Sequence, residues 1–425
     1  MPHRDSDGAA EPPASGWSRR ERLIIAGLVA AFVMLVAVRA ETRRPDSSRN
    51  PRTLDVVVIH VGGLAANAAP IEELAPDVDF DPADMQLWTN AFAQSTDPLR
   101  SARCALDGDL VRDLRATPPP TSLPVRLGER GWRTLLVDDQ GDLGRLVGSS
   151  FSDVARVDRA EDASAALGAW WGTRGRGDAP RFAFVHLAFG HEALHSDTTE
   201  AHVLQERYRL RAQRIREVVR QVAAAANTDR QGQLVVLMGA SGLETGEHPD
   251  APDLPWDSQL RVPLLMGLRW ADGMPPGTMQ ALVQSADLAP TVLDILDMRS
   301  PSEIGEDGAL RAGASLESHL HGWSKAPVHD TLHLFGVDHL AARTNRWKLI
   351  TPHDAALRPV AEGSRLYSMT EDPGEQRDLL AGAPMGPVAG GLLHRLSDRF
   401  GEPRAETPEG TALAPVPAEE DTATP

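Results

Sequence analysis

The sequence predicts an α/β fold in which helices flank a mostly parallel sheet, followed by a small antiparallel C-terminal subdomain. Three observations predict it: short runs that are apolar on both faces, helical segments between those runs, and a change to shorter strands late in the chain. Runs without polar alternation are typical of parallel strands that are buried on both faces. They are Leu54–Val61, Trp132–Val137, Pro180–Leu187, Leu234–Met238 and Val262–Leu268.

Helical segments stand between and after these runs. Ala160–Trp171 and Ser285–Leu296 are short, and Thr198–Ala225 is a long amphipathic segment with Arg and Gln on its outer face. Because strand and helix alternate, a mostly parallel sheet is expected. Trp88–Gln94 predicts one further short strand, and Leu127–Gly131 predicts the end of a helix with a glycine cap.

From about residue 328 the pattern changes to short strands joined by turns. These strands are His333–Val337, Leu340–Thr344, Trp347–Thr351 and Arg365–Ser368, and Leu392–Phe400 is a closing helix. We therefore expect an α/β domain over residues 54–327 and an antiparallel subdomain over residues 328–400. Residues 401–425 are rich in Pro, Glu, Ala and Thr, a composition that predicts a disordered acidic tail.

The start of the chain predicts attachment to a membrane. Leu23–Val38 is an apolar run of 16 residues with arginines on both sides. A membrane-spanning helix needs about 17–25 residues, so residues 23–40 are interpreted as a transmembrane anchor or a signal peptide. Residues 1–22 predict a disordered tail and residues 41–53 a linker. The folded part is then expected on the extracytoplasmic side, either periplasmic or extracellular.

Charge and cysteine content exclude some classes of function. The formal net charge is -17 and the sequence pI is about 5.3, which argues against a nucleic-acid partner. An acidic surface still allows a local basic pocket for an anionic ligand. The only cysteine is Cys104, so no intrachain disulfide can form, and a buried structural thiol is the expected reading.

A series of short motifs carries a family resemblance. In chain order they are Leu54–Leu64, Thr89–Ser95, Leu127–Thr134, Phe184–His191, Leu234–His248, Arg261–Leu265, Asp287–Asp294, Arg346–Ile350 and Leu366–Glu375. Together they resemble the landmarks of the sulfatase branch of the alkaline-phosphatase superfamily, over roughly residues 54–380. The resemblance implies an α/β sheet with a divalent cation, an oxygen nucleophile and a basic cluster at its carboxyl edge.

The metal positions of that family are degenerate in this sequence. The resemblance places the first carboxylate on Gly62 and its neighbour on Gly63, and it places the second pair of ligands on Ala240 and Ser241. Ca²⁺ and Mg²⁺ prefer oxygen ligands, above all carboxylates. Because none of the four positions is acidic, we expect no bound metal and no cofactor.

The nucleophile position is ambiguous. An ungapped register puts it on Pro98, which has no nucleophilic side chain. A shift of two residues gives the family spacing nucleophile-x-Pro-x-Arg, with Thr96 as nucleophile and Arg100 as the arginine. Cys104 does not head such a motif, because Leu106 follows it where proline is required.

The remaining candidate residues are polar groups that match single landmarks. The resemblance assigns catalytic candidates to Thr96, Arg100, His191 and Lys348. Further polar candidates are His60, Arg103 and His248, and the lysine that often precedes the Arg-Val-Pro strand falls near Asp253. In addition, His191-Glu192-Ala-Leu-His195 has the spacing of the zinc-protease helix motif, which makes a zinc site a separate hypothesis.

The sequence thus predicts a membrane-anchored, sulfatase-like pseudoenzyme that binds an anionic ligand or a protein partner. The alternative is an active metal-dependent sulfuric or phosphoric ester hydrolase or transferase with Thr96 as nucleophile, and only this alternative requires Ca²⁺ or Mg²⁺. Whether the chain is an enzyme is left open. The deciding question is whether any three candidate ligands converge beside Gly62 and Ala240. Those candidates are His60, Asp97, His191, Glu244 and His248.

Overall fold

The computed structural model of the chain describes residues 54–66, 85–173, 179–189, 200–226, 232–242, 247–248, 250–251, 253–269, 277–298 and 312–402. Residues 1–53 and 403–425 lie outside this description, and with them the predicted anchor and most of the predicted acidic tail. His191, Glu192, His195 and Glu244 also lie outside it. Among the described residues, no helix is long and apolar enough to cross a membrane.

A large mixed sheet forms the centre of the described structure. Its strands are β1 (Asp55–Gly62), β2 (Met85–Phe92), β3 (Arg133–Asp138), β4 (Asp153–Arg156), β5 (Arg181–Leu187), β6 (Gln233–Ser241), β7 (Arg261–Arg269), β8 (Gly277–Met279) and β9 (Val283–Gln284). The order is β4-β3-β5-β1-β6-β7-β2-β8, and β9 pairs with β2. All neighbours are parallel except at β7, which is antiparallel to both β6 and β2.

Helices cover both faces of this sheet. They are α1 (Pro98–Asp107), α2 (Leu123–Glu129), α3 (Asp142–Val147), α4 (Ala163–Gly172), α5 (Ala201–Ala225), α6 (Asp257–Leu260), α7 (Leu288–Ile295) and α8 (Glu317–Leu320). The first core cluster packs α1, α2, α3 and α7 on one face, and the second packs α4 and α5 on the other. The predicted α/β class is therefore confirmed.

A second sheet follows in the C-terminal part. Strands β10 (Leu332–Phe335), β11 (His339–Arg343), β12 (Trp347–Pro352) and β13 (Arg365–Ser368) pair in sequence order, each antiparallel to the next. Helix α9 (Pro387–Phe400) packs on this sheet through Leu392 and Phe400. The predicted antiparallel C-terminal sheet is confirmed, and its last strand has the predicted bounds.

Three short strands were not predicted from the sequence. Strand β4 is a sheet edge whose residues alternate between half-buried and exposed, and Val154 is 48% exposed. Strands β8 and β9 have only three and two residues. Such strands depend on pairing with a neighbour rather than on an apolar run, so their own residues carry little signal.

Candidate functional site

The edge where β1 and β6 end contains the four positions to which the sequence resemblance assigns metal ligands, which are Gly62, Gly63, Ala240 and Ser241. Gly62 pairs with Ser241 across these parallel strands, and the register shifts between Val61 and Gly62. Gly63 follows in the left-handed region with φ 71°, where glycine is favoured. The structure therefore brings the degenerate positions of the two strands together, at the edge where α/β sheets bind ligands.

The space around Gly62 is too small for a side chain. A Cβ atom built on Gly62 would lie 2.6 Å from the carbonyl oxygen of Ala188, at the end of β5. On β6, a Cβ atom on Gly239 would lie 2.6 Å from Cβ of Val262 and 2.7 Å from the carbonyl oxygen of Leu64. An aspartate at position 62 thus requires the end of β5 to move.

The chain that leaves β1 closes the same edge with its own backbone. The amide of Leu64 donates to the carbonyl of Ser241 at 2.9 Å, and the amide of Ala66 donates to the carbonyl of Arg261 at 3.0 Å. Between them, the amide of Ala65 donates to the hydroxyl of Tyr208 on α5 at 2.7 Å. Leu64 and Ala65 are buried. Backbone groups of β6 and β7 at this edge therefore bind the chain itself.

Below this edge lies a buried pair of histidines. His60 of β1 and His186 of β5 are register neighbours, and their Nδ1 atoms are 3.0 Å apart. In this contact one Nδ1 carries the hydrogen and donates the hydrogen bond, and the other Nδ1 accepts it. Both Nε2 atoms are buried without a hydrogen-bond partner. Burial lowers the pKa of His186 to about 4 and holds the pKa of His60 well below its usual range. Both rings are therefore neutral.

The nearby carboxylates are occupied by backbone amides. Asp138 on β3 accepts from the amide of Gly144 at 2.7 Å, and Asp139 accepts from the amide of Ala188 at 2.9 Å. Burial raises the pKa of Asp139 to about 6. Asp97 accepts from the amide of Leu99 at 2.9 Å. Within the described ranges, no group of three His, Cys, Asp or Glu side chains is placed to hold a metal ion.

Thr96 lies just ahead of helix α1. Pro98 is the first residue of the helix, Asp97 is its N-cap, and Thr96 precedes the cap. Proline suits this first helical position because its missing amide hydrogen has no helical partner there. The amide of Thr96 donates to the carbonyl of Phe335 at 3.1 Å, which ties the segment to the C-terminal sheet. The helix therefore begins inside the Thr96–Arg100 stretch.

The two candidate arginines bind the loop that follows α1. Arg100 donates to the carbonyls of Val111 and Arg112 at 2.8 and 3.0 Å. Arg103 is buried, forms an ion pair with Asp107 at 3.0 Å, and donates to the carbonyls of Leu114 and Ala116 at 3.1 Å each. Both guanidinium groups therefore have structural partners along this loop.

Cys104 is a buried structural thiol on the same helix. Its Sγ atom accepts from the amide of Val111 at 3.3 Å. Burial raises the pKa of the thiol to about 12, so the nucleophilic thiolate is not formed near neutral pH.

Lys348 belongs to a buried ion cluster between the two sheets. Its Nζ atom lies 2.8 Å from Oδ1 of Asp257 and 2.7 Å from Oε1 of Glu375. Arg343 of β11 also binds Asp257, through Nε at 3.1 Å. Burial by itself would raise the pKa of Asp257, but Lys348 and Arg343 hold that pKa below its usual range. Burial raises the pKa of Glu375. The ion cluster joins α6 to β11 and β12.

His248 lies apart from the histidine pair. Its ring stacks on Trp256 with centroids 3.9 Å apart, and its Nε2 atom is 2.9 Å from the carbonyl oxygen of Gly374. Asp253, which occupies the position near the family lysine, is exposed. Of the five candidate ligands, His191 and Glu244 lie outside the described residues, so the question whether three of them converge is not decided; His60, Asp97 and His248 do not form a group that could hold a metal ion.

Sequence reasoning assigned no role to His186, which contacts His60, or to Asp138 and Asp139, which lie beside His186. Each of these residues lies at or next to the end of an apolar strand, on β3 or β5. A lone polar residue inside an otherwise buried strand was the available signal. Its meaning depends on strand order, because β1 lies beside β5 only in the folded sheet.

No family model and no curated protein sequence matches the chain. Solved structures do match its fold. A structure in complex with its substrate D-glucosamine-2-N,6-O-disulfate has a TM-score of 0.58 at 14% identity, covering 82% of this chain and 98% of that one. A 2-O GAG sulfatase has a TM-score of 0.56 at 16% identity, with coverages of 81% and 90%.

A phosphonate monoester hydrolase also resembles the chain. This protein of Agrobacterium radiobacter has a TM-score of 0.55 at 14% identity, covering 81% of this chain and 95% of that one. Sulfatases and this hydrolase share the alkaline-phosphatase-like architecture, so the sequence resemblance is confirmed at the level of fold. The chain has the fold of the sulfatase branch of the alkaline-phosphatase superfamily.

Proposed function

We propose that this chain is a membrane-anchored pseudoenzyme with a sulfatase-like domain on the extracytoplasmic side, which binds an anionic ligand without hydrolysing it. The observation that carries this proposal is that a Cβ atom added at position 62 would lie only 2.6 Å from the carbonyl oxygen of Ala188. Position 62 has no carboxylate, and the surrounding backbone also leaves no space for one.

Loss of the cation removes most of the chemistry that ester hydrolysis requires. A bound divalent ion polarises the ester oxygens and lowers the pKa of a nucleophile. Here the nearest carboxylates already accept from backbone amides, and the histidine pair is neutral and buried. The remaining groups are suited to packing rather than to charge stabilisation.

The anionic ligand is suggested by the likeness in fold. One structure of this fold was solved in complex with D-glucosamine-2-N,6-O-disulfate. An inactive domain can keep affinity for an anion when the residues that bind it lie outside the metal centre. The sequence also predicts a protein partner as the alternative to such a ligand.

The test is an assay of ester hydrolysis. The purified chain is incubated with an aryl sulfate, an aryl phosphate and an aryl phosphonate, each with and without Ca²⁺, Mg²⁺ or Zn²⁺. We expect product formation no faster than with the Thr96→Ala variant. Metal-dependent turnover that Thr96→Ala abolishes would contradict the pseudoenzyme.

The competing function is an active hydrolase with Thr96 as nucleophile. It is favoured by one observation: Thr96 lies one residue ahead of the N-cap of α1, where helix amides stabilise negative charge. Arg100 then has to leave its carbonyl partners on Val111 and Arg112 in order to bind the ester. The same assay decides between the two functions.

Membrane attachment and zinc binding have separate tests. Fractionation of cells that express the full chain should place it with membranes, and removal of residues 1–40 should release it. Elemental analysis of the purified chain, with His191→Ala as control, should find less than one zinc per chain. Stoichiometric zinc that is lost in His191→Ala would support the peptidase hypothesis instead.

A further inference from the structure

A cavity of about 570 Å³ lies along strand β8, at one edge of the main sheet. Among the described strands, β8 pairs only with β2. One wall of the cavity consists of residues 277–282, which are β8 and the chain that follows it. The opposite wall consists of residues 322 and 324–327, which follow helix α8. We call this cavity the edge groove.

Both walls of the edge groove are fixed by side-chain hydrogen bonds. On one side, Thr89 donates to the carbonyl of Met279 at 3.3 Å, and Asn90 donates to the carbonyl of Gln280 at 2.9 Å. On the other side, Nε2 of His319 lies 2.8 Å from the carbonyl oxygen of Ala326. A groove that is already held in one shape loses little entropy when a chain segment binds in it.

Apolar and aromatic groups border the edge groove. Met279 and Pro327 line it, and Trp323 beside it is 46% exposed. The ring of Trp323 stacks on His321 with centroids 4.3 Å apart, which holds the indole in one orientation. Aromatic-lined grooves of this kind bind proline-rich segments in an extended conformation.

The edge groove has one cationic side chain. Among the described residues that line it, Lys325 is the only lysine or arginine, and none is an aspartate or a glutamate. Lys325 is exposed. The other lysine of the chain, Lys348, is fully buried in the ion cluster. A segment with an apolar, proline-rich part and a neighbouring carboxylate would therefore match this groove.

One segment of the chain itself has such a sequence. Residues 403–425 contain one arginine and five acidic residues. Within them, residues 413–417 read Leu-Ala-Pro-Val-Pro, and residues 419–421 read Glu-Glu-Asp. The spacing of the two prolines favours the polyproline helix, which is the conformation that aromatic-lined grooves recognise. The proline stretch matches Trp323, and the carboxylates match Lys325.

This segment is long enough to reach the edge groove. It follows helix α9, and the ring of Phe400 in that helix lies 6.3 Å from the ring of His333 between centroids. His333 is six residues after Pro327 of the groove wall, and six residues of extended chain span at most about 21 Å. Residues 401–412 can span about 40 Å in the same way. The tether therefore covers the distance.

We propose that residues 413–421 bind in the edge groove of their own chain, with the two prolines against Trp323 and the carboxylates at Lys325. A short tether keeps such a segment at a local concentration on the order of millimolar, so contacts that are weak for a free peptide suffice within one chain. The bound segment covers Trp323 and closes the groove to other ligands. This inference is independent of the proposed function, because neither the metal positions nor Thr96 takes part in it.

The test uses the accessible amine of Lys325. Because Lys348 is buried, Lys325 is the one side-chain amine that a reagent can reach. The full chain is treated with a carbodiimide, which joins an amine to a contacting carboxylate as an amide and takes up the released water as a urea. Peptide mass spectrometry locates the cross-link. A mixture of unlabelled and isotope-labelled chains shows whether the cross-link forms within one chain or between two.

We expect a cross-link between Lys325 and residues 419–421 within one chain. Trp323→Ala should lower its yield about fivefold, which is the order of effect expected for the loss of one aromatic contact. The double variant Pro415→Ala/Pro417→Ala should lower the yield to a similar extent, because it removes the rings that pack on Trp323. Thermal unfolding of each variant checks that it folds.

Matched controls separate this docking from general effects of substitution. Val337→Ala truncates an apolar side chain that is 65% exposed and lies outside the groove, and Pro408→Ala/Pro425→Ala removes two other prolines of the same segment. Both should leave the yield unchanged. Lys325→Arg keeps the positive charge but has no reactive amine, so it should abolish the cross-link.

Oxidative footprinting gives a second measurement that needs no lysine. Removal of residues 403–425 should increase the oxidation of Trp323, because the indole loses its cover. Trp347, which is half-buried on β12, serves as the reference and should be oxidised to the same extent in both chains.

Four results would overturn the inference. They are no cross-link between Lys325 and residues 419–421, a cross-link that forms only between two chains, a yield that Trp323→Ala and the Pro415/Pro417 variant both leave unchanged, and equal oxidation of Trp323 with and without residues 403–425. An unchanged yield in those variants would mean that charge attraction alone brings the carboxylates to the lysine.

Discussion

At the scale of single residues, Gly62 is the position on which the proposed loss of activity depends most. A metal-binding carboxylate differs from glycine by a side chain that begins at Cβ, and the structure leaves no room for that first atom. The sequence predicted the loss of the ligand. The structure adds that the position has no room for a side chain, because the backbone of Ala188 at the end of β5 lies where the Cβ atom would be.

The substitution Gly62→Ala tests this closure. Inserting a methyl group into a packed site costs about 1–3 kcal/mol, so we expect the free energy of unfolding to fall by that amount in urea titrations. The matched control is Gly128→Ala on α2, where a Cβ atom meets nothing within 4 Å. The control should gain up to about 1 kcal/mol of helix stability. A Gly62→Ala variant as stable as the parent chain would show that the end of β5 can move aside.

At the scale of elements, the ion cluster explains how the second sheet is held on the first. Lys348 on β12 and Arg343 on β11 meet Asp257 on α6, and Glu375 closes the cluster from the loop after β13. Lys348 was predicted from the resemblance as a catalytic candidate. Its contacts show a buried cation shared between two carboxylates.

Removing the ammonium group of Lys348 should strongly destabilise the chain. Lys348→Met leaves two carboxylates buried without their shared partner, and breaking a buried ion pair costs about 3–5 kcal/mol. Glu375→Gln should lower the free energy of unfolding by less, because Lys348 still forms its ion pair with Asp257. Combining the two substitutions should cost less than the sum of the single effects, as measured by urea unfolding.

The control for these single and double variants is Arg346→Gln. Arg346 is exposed two residues before Lys348, and surface substitutions usually change stability by less than about 0.5 kcal/mol. A loss below about 1 kcal/mol in Lys348→Met would mean that the ion cluster contributes little to holding the sheets together.

At the scale of the whole molecule, the buried histidine pair links stability to pH. Burial lowers the pKa of His60 and of His186 in the folded chain, the latter to about 4, while in the unfolded chain each titrates near its ordinary value of about 6.5. Between these values the unfolded chain binds more protons, so stability rises with pH. The contribution of the neutral histidine pair to stability is therefore fully present above about pH 6.5 and is lost as the pH falls toward 4.

We expect the free energy of unfolding to drop by on the order of 2 kcal/mol from pH 7 to pH 5 through His186, and to drop further through His60. Other groups oppose this trend, because burial raises the pKa of Asp139 to about 6 and Asp287 raises that of His329. The double variant His60→Leu/His186→Leu isolates the effect of the pair. Its loss of stability between pH 7 and pH 5 should be smaller than that of the parent chain.

Exposed His202 supplies the control for that comparison. His202→Gln should keep the pH dependence of the parent chain, because the residue is exposed on α5. If the double variant loses as much stability at pH 5 as the parent chain, the pair does not carry the proton linkage.

By itself, the sequence determined the α/β class, the main strands, the antiparallel C-terminal sheet and the absence of carboxylates from the family's metal positions. These features follow from local patterns: apolar runs, their spacing, and the identity of single residues. Only the tertiary structure decided that Gly62 faces Ser241, that His60 contacts His186, and that Lys348 lies between Asp257 and Glu375. These contacts join residues far apart in the chain, because strand order and sheet packing decide which side chains meet.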